Sequence, residues 1–89
     1  MQNEVNIIAA VSEALKFRKQ RPLARHEEIL EHINPLIRQE RDQDIKLGMI
    51  VATSRALDFL EKHPDLNDKA ALQHVMANLS EIVQNASDQ

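Results

Sequence analysis

An all-α bundle of four helices, or five if Pro35 divides one of them, is what this sequence predicts, and three observations carry that expectation. Ala, Leu, Glu, Gln, Lys and Arg dominate, and only one Gly and three Pro interrupt the 89 residues; such a composition favours helix and leaves no convincing strand. Apolar residues recur at three- and four-residue spacings along most of the chain. The stretch from Ile45 to Leu60 instead carries apolar residues on nearly every side, with Leu47, Ile50, Val51 and Leu57 outside the main stripe. A helix of that kind must be covered on most of its circumference, so a central helix of about 45–62 is expected.

The first helix is expected from Asn3, as N-cap, to about Gln20, with Glu4 favourably placed near the positive end of the dipole. Ile7, Ile8, Val11, Ala14 and Leu15 share its apolar face. Arg21-Pro22 ends it, because the residue before a proline is pushed out of the α region, and Pro22 suits the first turn of the next helix.

Leu23, Ile29, Leu30, Ile33, Leu36 and Ile37 then stay in phase across Pro35. The phase favours one kinked helix, whereas Asn34 as N-cap with Pro35 at the first helical position favours two. A break near Asp42, with Asp42 or Asp44 as cap, opens the third helix. His63-Pro64-Asp65-Leu66-Asn67-Asp68 separates it from the last, capped by Asp65 or Asn67. On that final helix Leu72, Val75, Met76, Leu79, Ile82, Val83 and Ala86 share one face to a stop near Asn85, and Ser87-Asp88-Gln89 is expected to fray.

A chain of this length holds one domain, residues 1–89, with a small core. Fully burying one large aliphatic side chain stabilises by about 1.5–3 kcal/mol, while ordering one residue costs about 1.5 kcal/mol, so extra burial through self-association would help a lone monomer. A homodimer or a helical protein partner is therefore the expected assembly. Zero cysteines exclude disulfides and thiolate metal sites. The opening Met1-Gln2-Asn3-Glu4 lacks a basic n-region, and no apolar run is long enough for a bilayer, so the cytoplasm, without a membrane partner, is the expected location. A net charge of −3 argues against global attraction to nucleic acid.

Little in the sequence points to chemistry, and neither an enzyme, a cofactor nor a metal is expected. His26 shares a face with Leu23, Ile29, Leu30 and Ile33, and is expected in or along the core with a hydrogen-bonding neighbour. Glu28 and His32 stand one turn apart, but the chain contains no Glu-x-x-His pair of the kind a di-metal carboxylate bundle uses. His63 falls at the end of the third helix and His74 on the polar side of the fourth. Arg21 with His26 and Arg25 with His32 have spacings met in helical ribonucleases, yet the first pair straddles a helix boundary. The serines have no base at a motif spacing, and Gly48 alone builds no phosphate-cradling loop.

The one charge asymmetry is the segment Lys16, Phe17, Arg18, Lys19, Arg21 and Arg25, which holds five cations and no acid. It is the candidate interaction site, for phosphate or an acidic protein surface, with Phe17 as an anchoring or stacking side chain. Against that reading, cations at a helix end also satisfy its dipole and pair with neighbouring acids. The expected function is a non-catalytic helical interaction or regulatory module that self-associates. The competing expectation is a small nucleic-acid-binding protein using residues 16–25.

Overall fold

The computed structural model describes residues 2–82, with side chains from Glu4 onward. Four helices follow one another: α1 (Gln2–Gln20), α2 (His26–Gln39), α3 (Gln43–Lys62) and α4 (Asp68–Ala77). Helix resumes over 79–82 as a short fifth segment, and no strand occurs among the described residues. The Cα radius of gyration of 12.1 Å matches the ~12 Å expected for one compact domain of this length.

Each connection obeys its local chemistry. Asp42 caps α3, its carboxylate accepting from the N–H of Asp44 at 2.9 Å and of Ile45 at 3.4 Å, and the Asn67 amide oxygen caps α4 by accepting from Ala70 N–H at 3.0 Å. Both proline-bearing connections are β-turns with Pro at the second position: Ala24 N–H donates to Arg21 C=O, and Leu66 N–H to His63 C=O, each at 3.0 Å.

Several details differ from the sequence reading or decide between its alternatives. Helix α1 is described from Gln2, so Asn3 lies inside its first turn and not at the position before it. Pro22 belongs to the β-turn, not to α2, which starts at His26 behind Arg25. That turn throws Leu23 into solvent, 96% exposed, outside the stripe it was expected to join. Pro35 sits within a continuous α2; Ile29, Ile33 and Ile37 are buried on both sides of it, so phase overrides the local capping signal. The last helix breaks at Asn78, whose side-chain amide donates to His74 C=O at 2.8 Å. That bond satisfies a terminal carbonyl of α4, and Met76 is left 56% exposed. The expected positions of Val83, Asn85, Ala86 and the 87–89 end lie outside the described residues.

Helices α1 and α3 form the central pair, and each also packs against α2 and α4, which flank them. The core joins Ile7, Ala10, Val11, Ala14 and Leu15 of α1 to Ile45, Met49, Ala52, Ala56, Leu57 and Leu60 of α3, closed by Ile29 and Ile33 on one flank and Ala71 and Val75 on the other. The wrapping of α3 is incomplete. Leu57 is buried and Val51 packs partly against the core, but Leu47 and Ile50 each stay 38% exposed. At 100° per residue Leu47, Ile50, Ser54, Asp58 and Glu61 fall within a sector of about 80°, in which all but Ser54 are exposed.

Candidate functional site

The uncovered face of α3 divides into an apolar half and an acidic half. Leu47 and Ile50, one turn apart, lead to Ser54, and Asp58 and Glu61 follow in the last turns of the helix. Opposite those carboxylates the turn after α1 delivers the start of α2, where His26 is the first helical residue. Its imidazole Nδ1 lies 3.9 Å from Asp58 Oδ1, and Nε2 lies 3.4 Å from Glu61 Oε2. The ring is only half-buried, so His26 is not the core histidine expected from its helical phase. The exposed turn at Leu23 shifts the start of α2 to the rim, where the imidazole reaches carboxylates of α3. A surface concavity lined by Arg18, Pro22, Ala24, His26, Asp58 and Glu61 holds the cluster.

The other histidines use the chain's two aromatic rings. His32 stacks on Phe17 with centroids 4.1 Å apart, and its Nε2 meets Glu13 Oε1 at 3.3 Å. His74 stacks on Phe59 at 4.5 Å, and His63 tilts against the same ring at 4.9 Å. The C-terminal end of α3 thus gains His63 as expected, while His74 faces a ring and not open solvent.

The basic segment does not converge on one surface. Phe17 is partly buried, its ring occupied by His32 and by the Arg21 guanidinium 5.8 Å from its centroid. Arg18 turns toward Asp68 of α4, at 4.0 Å. Arg25 precedes α2, and its backbone N–H donates to Glu28 Oε1 at 3.3 Å. Lys16 and Lys19 are exposed one turn apart on α1.

One carboxylate is electrostatically set apart. Glu40, in the loop between α2 and α3, accepts from the Asn6 side-chain amide at 2.6 Å and from the N–H of Asp42 and Arg41 at 3.2 and 3.0 Å. Those bonds, the Asn6 amide first, hold its carboxyl below the usual carboxylate range.

Asp58 and Glu61 were not singled out in the sequence. A signal existed, because two acids one turn apart at the negative end of a helix oppose both its dipole and each other. The pairing of Glu13 with His32 had none, since it depends on how α1 packs on α2. Comparison with family models, curated proteins and solved structures finds no match to this chain.

Proposed function

We propose that the protein is a non-catalytic helical contact module that pairs with a second copy of itself through the uncovered face of α3. The observation that supports this most is the partial exposure of Leu47 and Ile50 on the helix that otherwise supplies the largest share of the core. Gln43, Leu47, Ile50 and Ser54 follow one another at four-, three- and four-residue steps, the spacing of a helix–helix seam. An antiparallel pairing about a two-fold axis between Ile50 and Val51 sets Leu47 of one copy opposite Ser54 of the other, and Gln43 opposite Asp58. Such a face is self-complementary, as a two-fold interface must be. Removing the remaining apolar surface of Leu47 and Ile50 from water, at about 25 cal/mol per Å², works against an association cost of at least about 4 kcal/mol. Pairing is therefore weak and concentration-dependent.

A catalytic role has less support, since the imidazoles lie on open surface where water weakens electrostatic stabilisation. The nucleic-acid reading of residues 16–25 is weakened by the engagement of Phe17 and Arg18 within the chain. Sedimentation equilibrium over a wide concentration range tests the proposal: the natural protein shifts toward dimer as concentration rises, and Leu47→Lys with Ile50→Lys stays monomeric and folded. A natural protein that remains monomeric at millimolar concentration overturns it.

A further inference from the structure

We propose that His26, Asp58 and Glu61 form a binding site for a divalent transition-metal ion of the Zn²⁺ class, fastening the start of α2 to the end of α3. Each side chain offers one ligand atom, and the three atoms lie within 4.8 Å of one another. Bonds of about 2.0–2.2 Å from a metal to imidazole nitrogen and carboxylate oxygen need ligand atoms roughly 3–4 Å apart. All three side chains stand at the surface and can close the difference by small rotations about their own bonds.

Two features separate this cluster from an ordinary acidic patch. Both imidazole nitrogens face a carboxylate oxygen, at 3.9 and 3.4 Å. A neutral imidazole carries a single N–H, so one of these nitrogens holds a lone pair beside a carboxylate oxygen, an arrangement that a bound cation relieves. The carboxylates themselves are locally unfavourable. Asp58 and Glu61 are like charges three residues apart near the C-terminal, negative end of α3, a violation of helix electrostatics of the kind that clusters at functional sites. A cation relieves both conflicts at once. Arg18, on the rim, is directed at Asp68; Arg25 and Glu27 also line the concavity, and Lys62 follows Asp58 by one turn in α3.

The donor set fixes the class of ion. One imidazole with two carboxylates suits Zn²⁺, Co²⁺ or Ni²⁺, whereas Mg²⁺ and Ca²⁺ favour all-oxygen shells. Water completes the coordination, because the cluster is open to solvent. The site does not depend on pairing through Leu47 and Ile50, so the Leu47→Lys, Ile50→Lys variant retains it.

Isothermal titration of the full chain with ZnCl₂, with thermal unfolding followed in parallel, tests the assignment. The expected result is one Zn²⁺ per chain, a rise in Tm, and no response to Mg²⁺ or Ca²⁺. His26→Gln weakens binding more than about tenfold, as loss of a direct ligand exceeds the effect of losing a supporting group, while His63→Gln binds as the natural protein does. Should His26→Gln fail to fold without metal, as read by circular dichroism, the double variant Asp58→Asn, Glu61→Gln carries the same decision. Absence of Zn²⁺ binding, equal binding by the ligand variants, or an equal loss in His63→Gln overturns the assignment.

Discussion

Gly48 on α3 lies directly against Ile7 on α1: a Cβ built at Gly48 would stand 2.8 Å from Ile7 Cδ1 and 3.4 Å from Cγ1. Glycine inside a helix costs about 1 kcal/mol relative to alanine, and here that cost is offset by close approach of the two central helices. Ile7 is fully buried, so its methyl cannot move without disturbing the core. Gly48→Ala is expected to gain the propensity and lose about 1–3 kcal/mol to overpacking, for a net destabilisation of about 0–2 kcal/mol. Ile7→Val removes the offending carbon, and in that background Gly48→Ala becomes neutral or stabilising. Denaturant unfolding of the four-member cycle checks the coupling, expected at about 1 kcal/mol or more; simple additivity contradicts the contact.

Thr53, also on α3, is fully buried, and its hydroxyl has no hydrogen-bond partner among the described residues. A buried polar group without a partner costs about 1–3 kcal/mol, and valine fills nearly the same volume without that burden. Thr53→Val is therefore expected to stabilise the protein by about 1 kcal/mol or more, seen as a higher midpoint with an unchanged m-value. A destabilised variant would mean that the hydroxyl is satisfied in solution.

The features that were legible in the sequence are those set by local physics. Period and composition yield the helices, and each cap is narrowed to two residues, Asp42 or Asp44 and Asp65 or Asn67, of which the structure uses Asp42 and Asn67, whose side chains bond amides only two or three residues away. Leu23 misled because its helical phase matched Ile29 and Ile33, while Pro22 places it in a turn. Asn78 misled in the opposite sense, since the apolar stripe runs through it without a break. The site was less legible than the fold. His26 meets Asp58 and Glu61 across more than thirty residues, and Phe17 meets His32 across fifteen. Those distances depend on how α1, α2 and α3 pack, which no local spacing records. The over-wide apolar surface of α3 was readable, but not which part of it the chain itself would leave bare.

Pro35 lies inside α2, where it lacks the N–H that would donate to the Glu31 carbonyl one turn earlier. It is exposed, so little packing depends on its ring. Interior proline costs about 3 kcal/mol in a helix, partly offset by the lower entropy of the unfolded chain, about 0.4–1 kcal/mol. Pro35→Ala is expected to raise stability by about 2 kcal/mol and to leave Ile29, Ile33 and Ile37 buried. Thermal unfolding reads the gain. A loss of stability would show that the proline ring is needed to seat both halves of α2.

Glu40 supplies the pH dependence that the structure predicts most directly. Its carboxylate gathers the Asn6 amide from α1 and the N–H groups of Asp42 and Arg41 in the loop, and so ties the start of α3 to the side of α1. These donors favour the ionised form and lower the folded-state pKa beneath the unfolded value. A group depressed in this way contributes stability that is fully present above its unfolded pKa and is lost as pH falls through the folded one. Glu40→Gln keeps the size of the side chain and one acceptor oxygen but removes the charge. The variant is expected to melt below the natural protein at neutral pH, and the gap should narrow on acidification until the two coincide once the pH has fallen below the depressed folded-state pKa, where both side chains are neutral. Paired melting curves across that range decide the matter: a gap that stays constant assigns the difference to shape and hydrogen-bond geometry, and removes the carboxylate charge as its source.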